Sequence, residues 1–412
     1  MTATPEVAVP ERRSELDLMR AAVVVGLVFF HTLRVFDSGE YYVKHTPAST
    51  VVDLVIGLLV PWAMPLLFVI SGIGTWYSLR SLGAGRFVVE RLRRLLVPLV
   101  VGVVVLCPLP AWLQMRWEDP AYHQSYWAFW KGFFHVSYYP EEFPLVVRPA
   151  EGSQFETGHL WYIILLLGFT LLLLPLFLWL RGDAGKRATG RLGAWCERRP
   201  WGTLLPALPI AALAAAVDAE ANIAAWNRWG YALFFLFGYL LACDPRLTLA
   251  LQRVRRAALI GAAVSLALMA IVYGILGNAS EDADPLQDMD PGARGFRFVF
   301  AVAGWMAVAA LIGYLSRGRR RDAAAGGGPK EGGGWRARAQ GYANEAVLPF
   351  YVLHQPVIVV IGYFVLGWGL PAAAEYFLIS VLALAGTLLL YDLLVRRTPV
   401  TRFLFGMKAR RR

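Results

Sequence analysis

The sequence predicts an all-α, polytopic membrane protein of about ten transmembrane helices with both termini cytoplasmic. Three observations lead there. The 412 residues are 57% hydrophobic and only 17% charged, with a mean hydropathy of +0.50, a composition that soluble domains do not reach. Apolar runs near the length that crosses a bilayer core recur at about 16–36, 51–79, 94–115, 159–180, 201–217, 229–244, 256–277, 296–316, 345–367 and 372–395. With the N-terminus inside, segments 1–20, 80–94, 181–200, 244–256, 317–344 and 396–412 are cytoplasmic and carry 32 of the 40 Lys and Arg. Acidic residues go the other way, as in Glu281, Asp282, Asp284, Asp288 and Asp290. This is the positive-inside pattern, so the net charge of +11 reports topology and implies no nucleic-acid partner.

The first span, RRSELDLMRAAVVVGLVFFHTLRVFD at 12–37, carries ionisable groups that a lipid-facing helix avoids. Arg20 and His31 are eleven residues apart, three turns plus about 20°, so they share one face roughly 16 Å apart along the axis. Asp17 and Arg34 extend the stripe. Snorkelling explains Arg20 alone; the aligned pair points to a site. The run is too long for a cleavable signal peptide, and no small-residue cleavage site follows.

In the second span Pro61 and Pro65 precede Ser71-Gly72-Ile73-Gly74-Thr75, a pattern for a kinked helix with close backbone approach. Arg91 and Arg94 sit one turn apart at the cytoplasmic mouth of the third span. Such arginines set topology, and a fork of guanidinium groups also recognises phosphate. The loop 116–158 is rich in Trp and Tyr, as in a helix lying in the outer interface or an aromatic platform for a bulky acceptor. His159 opens the fourth span beside Trp161, at an outer end where a histidine is ordinarily solvated. The glycine-rich stretch 317–344 reads as a flexible cytoplasmic linker inside a single membrane domain covering 1–412. In the ninth span His354 falls near the midplane, followed by Gln355 and Pro356. Pro356 removes a donor and frees a carbonyl, with a kink expected there. The three cysteines, Cys107, Cys196 and Cys243, form neither a disulfide framework nor a metal motif, and no metal site is expected.

ELDLMRAAVVVGLVFFH at 15–31, LLFVISG at 66–72, RLRR at 91–94, GHLWYIILLL at 158–167 and LPFYVLHQPVI at 348–358 resemble, in order, the motifs of the acyltransferase-3 family of integral-membrane O-acyltransferases. HTLRVFD at 31–37, YYVKH at 41–45 and TRFLFGMK at 401–408 resemble the branch of the periplasmic glucan succinyltransferases. The chain stops after its tenth span, like the stand-alone members.

The resemblance implies transfer of an acyl group from a cytoplasmic acyl-CoA, the donor substrate, to a hydroxyl of an extracytoplasmic glycan or glycolipid. It implies the cytoplasmic membrane as location and no permanently bound cofactor. Such chemistry needs a base, an anion-stabilising group and donor anchors. His31 suits the base, with His354 and Arg20 as further catalytic candidates. Arg20, Arg91 and Arg94, on the cytoplasmic side, suit the donor phosphates, and an arginine beside the carbonyl would equally stabilise the oxyanion. Ser71 is expected on the donor path and is available as a nucleophile, although helix packing explains it as well. His159, Trp161, Arg34, Asp37 and Gln355 are expected to meet the acceptor. The rival reading is a transporter or flippase of a lipid-linked sugar, which would predict an inverted repeat; the Arg20/His31 pattern has no partner in the second half. The acyl group, the acceptor and the oligomeric state stay open.

Overall fold

A computed structural model describes residues 14–139, 147–217, 222–279, 285–316 and 335–408. The apolar runs fold as helices because a bilayer offers the backbone no other hydrogen-bond partners. In chain order these are α1 (Ser14–Leu33), α2 (Thr50–Leu59), α3 (Ala63–Leu82), α4 (Ala84–Glu118), α5 (Tyr126–Phe133), α6 (Trp161–Leu172), α7 (Leu174–Arg181), α8 (Asp183–Arg198), α9 (Ala207–Ala216), α10 (Arg228–Cys243), α11 (Pro245–Ala279), α12 (Pro291–Leu315), α13 (Trp335–Val365), α14 (Ala372–Leu390) and α15 (Pro399–Leu404). The described strands form two antiparallel pairs, Val136–Tyr138 with Val147–Pro149 and Asn222–Ile223 with Trp226–Asn227.

Among the described residues six helices are long and apolar enough to cross a membrane: Thr50–Leu82 taken across its break, Ala84–Glu118, Pro245–Gly274, Pro291–Leu315, Arg338–Trp368 and Ala372–Val395. Gly158–Leu172 and Leu174–Arg181 make a seventh if their 50° bend lies within one span. Pro175 sits at the start of the second piece, where its missing N–H and its ring interrupt the helix ladder. The expected spans 201–217 and 229–244 correspond to shorter apolar helices, Pro200–Ala216 and Arg228–Cys243. The first expected span is α1, which stands outside the set of six. The chain is a multi-pass membrane protein. Most of the expected 317–344 linker lies outside the described residues, and from Trp335 the chain is helical.

Local chemistry sets the helix ends. Asp290 caps α12 by accepting from the N–H groups of Gly292 and Ala293, with Pro291 at the first helical position, an arrangement that suits both residue types. Asn227 caps α10 through the N–H of Trp229. Pro61 falls in the break between α2 and α3, as the proline pattern predicts. The expected kink at Pro356 does not interrupt α13, which runs as one helix through Pro349 and Pro356.

Backbones pack in direct contact between α3 and α10. A Cβ on Gly72 would lie 2.1 Å from the Phe235 carbonyl oxygen, and one on Gly238 would lie 2.2 Å from that of Val69. Small residues on both helices let the backbones touch, and Phe68, Phe169, Phe234, Phe235 and Tyr231 fill the core around them. α1 packs on α13 and α14, which brings its His31 face toward His354. Gly72→Ala is expected to lower the midpoint of thermal unfolding in detergent, since overpacking costs about 1–3 kcal/mol. Gly85, with nothing within 4 Å of an added Cβ, is the control, and Gly85→Ala should leave the midpoint in place.

Candidate active site

Three histidines from three distant segments meet inside the helix bundle. The His354 ring lies 5.2 Å from that of His31 and 5.0 Å from that of His159, between centroids. His354 and His159 are buried, at 0% and 5% exposure. His159 is therefore not the solvated end residue its sequence position suggests. The cause is Pro356. In α13 the carbonyl of Val352 would accept from residue 356, which is proline and has no N–H. His159 Nε2 donates to that carbonyl instead, at 3.2 Å. His354 Nδ1 donates to the Tyr351 carbonyl at 2.6 Å. A carbonyl only accepts, so these bonds fix both tautomers. The lone pair of His354 is then on Nε2, which is buried without a protein partner among the described residues, as is Nδ1 of His31. The Tyr351 hydroxyl donates to the His159 carbonyl and locks the two segments together.

His31 and His159 line a vestibule of about 1250 Å³ shared with Arg34, Asp37, Tyr41, Tyr42, Glu156, Trp161 and Gln355. A smaller, apolar slot of about 350 Å³ runs along α1 from Met19 to His31 and shares His31, His159 and Trp161 with the vestibule. The loop 34–49 forms one wall. Asp37 is buried and pairs with Arg34, and its Oδ1 receives Lys44 Nζ at 2.6 Å. Arg34 Nη2 also donates to the Glu40 carbonyl at 2.9 Å. His45 pairs with the buried Glu375 of α14 at 2.8 Å. Arg34 and Asp37 are thus committed to holding this loop. Gln355 Nε2 donates to the Tyr42 hydroxyl at 3.2 Å.

Toward the other end of α1 the arginines gather. A Cβ on Gly74 would lie 3.3 Å from Arg20 Nη2, so the glycine leaves room for that guanidinium. Arg20 also pairs with Asp17 at 3.8 Å. Both Arg20 and Arg94 act electrostatically on Arg91. Glu90, which the sequence reading does not single out, lies 3.9 Å from Arg91 and 3.6 Å from Arg94 and partly balances them. Arg91 Nη2 donates to Thr75 Oγ1 at 3.5 Å, Thr75 donates to the Ser71 carbonyl, and Ser71 Oγ bonds the Tyr162 hydroxyl at 2.8 Å. The Tyr162 ring lies 5.5 Å from Tyr351. A polar seam thus links the arginines to the histidines. The partner of Ser71 is a phenol, not a base. The C-terminal segment supports this end, with Phe403 under Arg93 and Gly406 against the Arg94 carbonyl.

Structure therefore brings His31, His159, Arg34, Asp37, Gln355 and Trp161 to one cavity, with His354 packed behind His31 and His159, and gathers Arg20, Arg91 and Arg94 in another cluster. Sequence reasoning missed Glu156, Tyr42, Tyr162 and Tyr351. Glu156 is hidden because an acidic residue on the outer side already satisfies the charge rule, and the tyrosines pass as interfacial aromatics. Among the described residues no cluster of His, Cys, Asp or Glu has metal-binding geometry.

A buried node of three histidines inside a multi-pass helix bundle is the candidate active site of a membrane protein. The model of the family described as Acyltransferase domain matches residues 13–392, and the chain belongs to this acyltransferase-3 family. It is an acyltransferase that moves groups other than aminoacyl groups. No curated protein and no solved structure gives a significant match.

Asp37→Ala should destabilise the detergent-solubilised protein by about 3 kcal/mol, because it leaves Arg34 and Lys44 without their buried counter-charge. The loss should appear as a lower unfolding midpoint, and an unchanged midpoint would mean that the ion pairs do not hold the loop.

Proposed function

We propose that the protein transfers an acyl group, acetyl, succinyl or similar, from cytoplasmic acyl-CoA to a hydroxyl of an extracytoplasmic glycan or glycolipid. The observation that carries this reading is the polarity of α1, with an arginine cluster at one end and a histidine node opening into a wide vestibule at the other. In this reading the chain crosses the cytoplasmic membrane ten times, with both termini inside, and the short helices α9 and α10 and the helix α1 complete the count. Loop charge supports that sidedness.

The donor phosphates pair with Arg91, Arg94 and Arg20, and the pantetheine arm follows the seam past Thr75, Ser71 and Tyr162. The acceptor hydroxyl reaches His31 from the vestibule. His31 takes its proton as the oxygen attacks the thioester carbonyl, and the tetrahedral intermediate collapses with loss of the coenzyme A thiolate. The thiolate recovers a proton from the imidazolium. His354 lies beside His31 with a lone pair on Nε2, so it stabilises or shares that proton. Ser71 lines the donor path, and His159, Trp161 and Gln355 face the acceptor.

The test is transfer of radiolabel from acetyl-CoA and succinyl-CoA to candidate glycans by purified protein. His31→Ala should lower the rate about 10²–10⁴-fold, the scale of general-base catalysis, at equal yield of folded protein. Arg94→Ala should raise the donor KM and be partly rescued by more donor. Full activity in His31→Ala would remove the base assignment, and glycan transport without acyl transfer would support a flippase.

A further inference from the structure

The vestibule wall holds a carboxyl group for which the reaction above has no task. Glu156 lies in the irregular segment just before Gly158. That glycine adopts φ +47° and passes so close to Tyr42 that a Cβ would sit 3.0 Å from the hydroxyl. The tight passage presses residues 156–158 against the loop carrying Tyr42. The Tyr42 oxygen accepts from Gln355, so its single hydrogen is free to be directed at the neighbouring Glu156 carboxyl. Oε1 of that carboxyl is buried without a protein partner among the described residues. An unmet buried acceptor is costly, and a fold that keeps one beside a cavity has a use for it.

Glu156 is not alone. The Tyr41 hydroxyl and Gln355 Oε1 are also buried and unpartnered, and both residues line the same vestibule. His31 Nδ1 completes the set. A hydroxyl donor and carbonyl and carboxyl acceptors thus belong to side chains that line one vestibule. An apolar ligand would leave them unmet. A ligand carrying several hydroxyls, each both donor and acceptor, would satisfy them.

We propose that Glu156 is an acceptor-binding residue: its carboxylate, on the vestibule wall, accepts a hydrogen bond from a hydroxyl neighbouring the one that is acylated, and so selects polyhydroxylated acceptors over monohydroxy alcohols. This rests on the acyl-transfer reading and adds the chemistry of the acceptor. Burial pushes the Glu156 carboxyl up to about 7, with the Tyr42 hydrogen pulling the other way. The groups facing it are Tyr42 and Tyr41 from the loop, Cys107 from α4 and Gln355 from α13, with His159 three residues along its own segment. Arg34 and Asp37, which act on Tyr41 from the same loop, are paired with each other, and what bears directly on the Glu156 carboxyl is its burial and the Tyr42 hydroxyl. An ionised carboxylate accepts the stronger hydrogen bond, and a bound hydroxyl therefore lowers its pKa. Acceptor affinity should rise as pH climbs toward 7 and level off above it.

The experiment measures acceptor and donor KM with acetyl-CoA and a panel of methyl glycosides, trans-cyclohexane-1,2-diol and cyclohexanol. Wild type should acylate the diol and glycosides in preference to cyclohexanol. Glu156→Ala should raise the acceptor KM about tenfold or more, the scale of a charged hydrogen bond, with a much smaller change in donor KM. Glu156→Gln, nearly isosteric and able to keep the Tyr42 contact, should fold like wild type and remove the rise in acceptor KM below pH 7. An acceptor KM and pH profile unmoved by both substitutions, or cyclohexanol used as well as the diol, would overturn the assignment while leaving acyl transfer standing. Transfer to no acceptor at all would overturn the acyl-transfer reading and this one with it.

Discussion

The site depends on one backbone carbonyl. Pro356 cannot donate to Val352, and inside a membrane no water stands ready to take its place. A side chain must fill the gap, and His159 does so at 3.2 Å. That bond draws the start of α6 against the middle of α13 and buries His159 beside His354. The Tyr351 hydroxyl closes the same contact from the other side. With both histidine tautomers set by carbonyls, the lone pair of His354 is left on Nε2, buried without a protein partner among the described residues.

The remaining packing serves to deliver α1 to this point. Gly72 and Gly238 let α3 and α10 touch, which fixes α3, and Gly74 then leaves room for Arg20. The loop after α1 is held by Asp37 between Arg34 and Lys44 and by His45 on Glu375. Charged residues placed in or near a membrane are expensive unless paired, and here the pairing also shapes the vestibule wall. Arg34 and Asp37, expected from the sequence to meet the acceptor, line the vestibule and also hold its wall through this network.

Much of the fold was legible. Nine of the expected spans coincide with apolar helices or helix pairs of the structure and the other with α1, because hydropathy and loop charge act locally. The number that cross was less legible, since α9 and α10 are short and apolar without being long enough alone. Of the site, Arg20 and His31 were legible because helical periodicity aligns them, and Arg91 and Arg94 because they are one turn apart. Glu156 was not: one acidic residue in an outer loop carries no pattern, and only its enclosure by Tyr42 and Gly158 sets it apart.

The sequence by itself determined the membrane class, the family motifs, the stripe on α1 and the freed carbonyl at Pro356. These follow from composition and from spacing within single helices. Tertiary structure decided what that carbonyl meets, that three histidines from separate segments form one node, and that a loop glutamate joins the vestibule. Each of these is a contact between segments far apart in the chain, set by which helix faces can approach, and no local pattern encodes it.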